Sequence, residues 1–215
     1  MTATSSDDVA IAALHGAGWL LCYETLAELS GLAPQTLEAL GVARTSAGAV
    51  EAARRSLALV PADSADQQVG PIRQAFASLQ QHTPPGTWPE ALVKNLLLIG
   101  MGLDLVRHTR EHWPPAVAKV LEGDPGPDVA ELVTQTLAGL DLDDEQRSRT
   151  SLFGRRVIAE MSAQAQRIVS RESRLARALT GTQSGTSEEV ARTTELLQAL
   201  VEGAAERMLA LGLQP

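Results

Sequence analysis

The sequence predicts an all-α protein: a single domain over residues 1–215, with a four-helix core and additional short helices. Three observations carry this expectation. Apolar residues make up 44% of the chain and are mostly Ala and Leu, with Val, Ile and aromatics sparse, a bias that favours helix over strand. Where apolar residues recur, they do so every three or four positions, and no run of alternating β-branched residues suggests a strand. Short Gly- and Pro-containing breaks separate the helical stretches, and long helices joined by short breaks pack as antiparallel neighbours.

The first helix is expected after Ser6, with Asp7 and Asp8 at its positive end, and runs to about Ser30 before Gly31. Pro34 opens a second helix that reaches Val60, before Pro61. A third covers about residues 66–82, with Gly70-Pro71 bending it or delaying its start. The stretch TPPGTWP, residues 83–89, is a clear break. A fourth helix follows from about Trp88 to His112 and ends at Trp113-Pro114-Pro115. A short helix over 116–122 precedes the turn GDPGPD, and another helix covers 128–140. A long helix begins near Asp143 and runs to about Arg171, with an extension towards Leu179. In it Phe153, Val157, Met161, Ala165, Ile168 and Val169 form a core stripe. TGTQSGTS, residues 180–187, is a polar loop; Ser187 with Glu188 and Glu189 caps the last helix, which ends at Gly212.

The net charge of −8 argues against uniform binding to nucleic acid or anionic membrane. The charge is uneven: residues 1–146 carry 19 acids and 8 bases, whereas residues 147–177 carry 8 Arg against Glu160 and Glu172. Within that basic segment Arg149, Arg156, Arg167, Arg171 and Arg174 fall away from the core stripe. They read as a solvated face, as a counterweight to the acidic half, or as contacts to a protein partner or to RNA phosphate. No aromatic residues interleave with them as base-stacking sites would require.

The single Cys22 excludes an internal disulfide and fits a reducing compartment. The acidic N-terminus has no basic segment of a signal peptide. The longest apolar stretch, Val9 to Tyr23, is interrupted by His15 and two glycines and is too short to span a bilayer. The expectation is a cytoplasmic protein that does not engage a membrane.

One local pattern points to chemistry. HTREH, residues 108–112, matches His-x-x-Glu-His, a helical zinc-peptidase spacing. Asp104, His108 and His112 share one helix face at successive turns, so they form a candidate metal site. A paired His near a helix C-terminus also has a structural explanation, because cations favour that end. His15 and His82 have no notable neighbours in sequence and read as an interior or helix-face histidine and a helix-end histidine.

Two segments resemble a known family: TPPGTWPEALVKNLLLIGMGLDLVRHTREH, residues 83–112, and FGRRVIAEMSAQAQRIVSRESRLARAL, residues 153–179. The ending RMLALGL, residues 207–213, fits with them. The strongest markers are Trp88, the LVK at Leu92 to Lys94, Gly154-Arg155-Arg156, and the AQ pairs from Ala163 to Gln166. All resemble ferritin-like proteins similar to the tRNA 2-methylthio-N6-isopentenyladenosine hydroxylase. The resemblance implies a ferritin-like four-helix bundle, homodimerisation and a link to RNA.

It would also imply a carboxylate-bridged di-iron centre, built from a Glu on each of two helices and Glu-x-x-His on the other two. The sequence contains no Glu-x-x-His and no Asp-x-x-His. The first-helix Glu falls near Trp19, and the second-helix Glu and His fall near Ser46 and Ala49, while the last of the four ligand-bearing helices, ELVTQTLAGLDLDD at residues 131–144, has no His. An indole, a hydroxyl and a methyl cannot replace those donors. The expectation is therefore a non-catalytic binding or structural protein with no cofactor. The alternative is a metal-dependent hydroxylase with a reorganised iron site at Asp104, His108 and His112.

Four helical glycines add a clue: Gly16 and Gly18 in the first helix, Gly100 and Gly102 in the fourth. Each costs about 1 kcal/mol relative to Ala in a helix interior, so each implies a packing or functional reason. The adopted reading is close helix approach at Gly16 and Gly100, with Trp19 filling the space of a metal. The other reading is a small-ligand cavity between these helices.

Overall fold

The computed structural model describes residues 6–182 and 185–215; Gln183 and Ser184, in the expected polar loop, lie outside the described residues. Among the described residues the secondary structure is entirely helical. The elements are α1 (Ser6–Leu32), α2 (Thr36–Leu57), α3 (Ala65–His82), α4 (Trp88–Thr109), α5 (Pro115–Ala118), α6 (Gly126–Ala138), α7 (Asp144–Arg171), α8 (Ser173–Thr180) and α9 (Ser187–Ala210). Single 3₁₀ turns follow α4 at Arg110–His112 and α5 at Lys119–Leu121.

The helix starts follow local chemistry. Thr87 accepts a hydrogen bond from the Glu90 amide at 3.5 Å to start α4. Asp143 and Gln146 form a reciprocal capping box at α7, with bonds of 2.8 and 3.1 Å. The cap of α9 is Thr186, which accepts from the Glu189 amide at 3.1 Å, rather than the expected Ser187. Pro71 is the seventh residue of α3 and does not end it, so the helix forgoes the one i→i−4 bond that a proline cannot donate. The long helix breaks at Glu172, so the extension towards Leu179 is the separate α8.

Two helix pairs, α1/α2 and α4/α6, join through the packing of α1 on α4 to form the four-helix core. The other face of α4 packs on α7 and α9, while α3 and α8 close the sides of α1. One large apolar cluster fills the core, drawing Leu26 and Leu29 from α1, Ala49 from α2, Leu92 and Leu97 from α4 and Val133 from α6. Burying each such leucine contributes about 2 kcal/mol. Two polar contacts lie within it: Thr25 donates to Asn95 Oδ1 at 2.8 Å, and Lys94, 1% exposed, donates to Glu28 at 3.2 Å. Burial pulls the Lys94 ammonium below its ordinary pKa, with Glu28 opposing that shift.

Helix α1 departs from the expectation on length. Among the described residues it is the one helix long and apolar enough to cross a membrane by length and composition, and 67% of that stretch is buried inside the bundle. Its apolar character is that of a core helix in contact with α2, α3, α4 and α8.

Candidate functional site

The four helical glycines divide into two pairs. A Cβ at Gly16 would lie 2.6 Å from Leu57 Cγ and Cδ2, so α1 and α2 approach too closely for a larger residue. At Gly100 the space is taken by the guanidinium of Arg207 reaching across from α9. Gly18 and Gly102 are different: a Cβ at either would meet nothing within 4 Å. Both line a cavity of about 200 Å³ bordered by α1, α3, α4, α7, α8 and α9. The first pair therefore lies where other side chains crowd the helix, and the second faces open space.

The cavity is almost wholly apolar. Leu14 and Trp19 of α1, Met101 and Leu105 of α4, Met161 of α7 and Leu196 of α9 are among its walls. Several of these, including Met101, Leu105 and Leu196, are only half-buried. Among the described residues, none of α2 lines the cavity. Trp19 belongs both to the core cluster and to the cavity wall.

One corner is polar. Trp19 Nε1 donates to His15 Nε2 at 3.2 Å, and the same nitrogen lies 3.1 Å from Asp124 Oδ2. On the other side of the ring, His15 Nδ1 is 2.7 Å from Ser56 Oγ. The rings of Trp19 and Trp113 meet the imidazole edge-on, with centroids 6.2 and 6.0 Å away. Asp124 comes from the turn before α6, and its other oxygen accepts from the Gly126 amide at 2.8 Å. His15 therefore joins α1, α2 and the turn before α6. Its partners stand 41 and 109 residues away, so no local spacing reveals them.

Cys22 also lines the cavity, and burial pushes its thiol up to about 12. That shift makes it an inert wall group, as its apolar neighbours suggest.

The expected metal trio is not assembled. Among the described residues no three His, Cys, Asp or Glu side chains form a group able to hold a metal ion. Asp104 is buried with both oxygens committed: Oδ1 to Arg107 at 2.9 Å and Oδ2 to Arg207 at 2.7 Å. The Arg207 contact is an ion pair without a well-aligned hydrogen bond, since neither atom has a hydrogen-bond partner. His108 is exposed. His112 sits in the 3₁₀ turn with its ring against Gly181, where a Cβ would meet Nδ1 at 2.7 Å. The end of α4 tightens into that turn, so the His-x-x-Glu-His spacing no longer maps onto one straight helix face.

The positions where the resemblance implies di-iron ligands are also committed elsewhere. Trp19 serves His15, the Ser46 hydroxyl donates to the Ala43 carbonyl at 2.7 Å, and Ala49 is fully buried among apolar neighbours. These residues do not fit a di-iron centre.

All five arginines of the basic stripe are solvent-exposed. Arg149 also braces the turn before α4. Its Nε donates to buried Glu90 at 2.8 Å, and Glu90 also accepts from the Gly86 amide at 2.6 Å. Arg167 donates to Gln164 at 3.1 Å, and with Arg171 it borders a small groove beside Pro71 and Ser78.

Two helix pairs, a shared apolar core and flanking helices define a ferritin-like helical bundle. The chain belongs to the family described as ferritin-like domain, actinomycetes, which matches residues 6–182. A comparison with curated proteins gave no match.

Proposed function

We propose that this protein is a non-catalytic ferritin-like bundle that binds a small apolar molecule in the cavity between α1, α4 and α7–α9. One observation carries the reading: a cavity of about 200 Å³ with almost wholly apolar walls, bordered by two helical glycines at which a Cβ would meet nothing within 4 Å. Ligand sites are typically concave and apolar with a few convergent polar groups. A dry cavity of about 150 Å³ lined by Leu, Ile and Phe is enough to bind benzene. Retaining Gly18 and Gly102 costs about 2 kcal/mol in helix propensity, which empty space alone does not explain.

The lack of catalysis is inferred from the donor chemistry. A relationship to the tRNA hydroxylases rests on the sequence resemblance; Trp19, Ser46 and Ala49 at the ligand positions speak for a lineage that has lost its iron. The alternative iron site at Asp104, His108 and His112 loses support because two guanidinium groups already hold Asp104.

The test is calorimetric titration with ethylbenzene, paired with thermal melting. One molecule per chain is expected. At a hundredfold excess over Kd the ligand stabilises the fold by about 2.7 kcal/mol, raising Tm by roughly 5–10 °C for a domain of this size. Gly102→Leu, which fills the space, abolishes binding while leaving a folded protein. Wild-type protein that binds no apolar probe refutes the proposal.

A further inference from the structure

We infer that the groove between α3 and α7 is a second binding site, which takes the phosphate group of a small monoester. It shares only Ile168 with the apolar cavity and does not rest on the reading of that cavity.

Helix α3 lines the groove with Pro71, Gln74 and Ser78, and α7 lines it with Arg167 and Arg171. Glu172, where α7 breaks, lines it too. The space is about 200 Å³. Ile72, Ala75 and Ile168 are its buried residues, and both arginines are exposed.

Arg167 and Arg171 stand one turn apart on α7, so their side chains share a face. Among the described residues no carboxylate lies within 4.0 Å of either guanidinium, although Glu172 lines the same groove. Arg54, Arg73 and Arg149, by contrast, each have such a partner. Two like charges at one-turn spacing repel. An oxyanion bridging them replaces that repulsion with two charge-assisted contacts, and the planar guanidinium matches the paired oxygens of a phosphate.

One of the two guanidinium groups is held ready. Gln164, 3% exposed, accepts from Arg167 Nη1 at 3.1 Å. Its amide donates to Glu160 at 2.6 Å and across to Ser78 of α3 at 3.2 Å. Arg167 is thereby tied to both walls of the groove. Arg171 has no partner among the described residues and can close on a ligand. Two cations and one carboxylate in the groove favour a single phosphate over a cation. A nucleic-acid strand is disfavoured, because the chain carries −8 overall and Glu172 adds a negative charge beside the arginines.

The experiment is calorimetric titration of the full-length protein at low ionic strength, where charge contacts are least screened. The probes are glycerol phosphate, glycerol and an unstructured oligoribonucleotide. One glycerol phosphate per chain is expected, with no binding of glycerol. Arg171→Gln removes one charge-assisted contact and is expected to weaken glycerol phosphate about tenfold, and Arg167→Gln to do the same. Arg156→Gln, on the same helix but outside the groove, is expected to leave the affinity within about twofold of wild type. All three residues are exposed, and thermal melting without ligand checks that each variant is folded. No binding of glycerol phosphate, equal binding after Arg171→Gln, or an equal loss after Arg156→Gln overturns the inference. So does tighter binding of the oligoribonucleotide with the same loss in Arg171→Gln, which assigns the face to nucleic acid. Ethylbenzene binding is expected to be unchanged in all three variants, so the cavity reading stands or falls separately.

Discussion

Gly16 and Gly18 give the sharpest stability test, because the same substitution is expected to differ by about 1–3 kcal/mol two residues apart. Positions two apart on an α-helix face directions about 200° apart. Gly16 faces α2, where a Cβ would stand 2.6 Å from two atoms of Leu57, while Gly18 faces the cavity with nothing within 4 Å. Changing either glycine to alanine gains about 1 kcal/mol in helix propensity. Gly18→Ala keeps that gain, so it stabilises by about 1 kcal/mol. Gly16→Ala must also displace Leu57, and overpacking of this kind costs about 1–3 kcal/mol. The propensity term cancels between the two variants, so their difference is the overpacking cost itself, about 1–3 kcal/mol. Urea unfolding followed by far-ultraviolet circular dichroism measures both, with an unchanged m value showing that the unfolding reaction is the same. Equal shifts in the same direction would refute the close approach of α1 and α2. A destabilised Gly18→Ala would refute the open face.

The same structure fixes three further outcomes. Trp19→Ala removes a buried indole together with the donor to His15, and is expected to cost roughly 3–5 kcal/mol in urea unfolding; a loss well below this would mean that the indole is not a core wall. Arg207→Met strands the buried Asp104 with only the exposed Arg107, and is expected to cost about 3 kcal/mol in the same assay, the lower end for breaking a buried pair. Cys22 supplies a pH test. Its folded pKa is raised from 9.0 to about 12, so above pH 9 the unfolded chain releases a proton that the folded chain retains, and stability falls as pH rises through that window. Wild type should therefore lose about 1 kcal/mol more than Cys22→Ala between neutrality and about pH 10, read by urea unfolding at each pH.

The helical elements were legible because their punctuation is chemical. Pro61, the TPPGTWP stretch and Pro114-Pro115 mark breaks that the structure places where the residues predict. The division at Glu172 was not legible, because ordinary helix formers surround it and the turn is made by backbone angles of −114° and 75°. The glycines pointed to α1 and α4, but helical phase alone cannot say which face meets a partner. That needed Leu57 from α2 and Arg207 from α9. The His-x-x-Glu-His spacing misled because it assumes a straight helix, whereas the chain tightens at Arg110 and turns His112 towards α8. His15 read as a bland interior residue; its partners Ser56 and Asp124 become neighbours only once α2 and the turn before α6 close on α1.

A ferritin-like bundle that holds an organic ligand site and no iron centre has a distinctive mass. Native mass spectrometry of untagged protein, as purified and after anaerobic loading with ferrous iron and removal of excess, reads both properties in one spectrum. The expected mass is that of the chain alone or with a small organic adduct, unchanged by iron loading. Two irons retained per chain would contradict it.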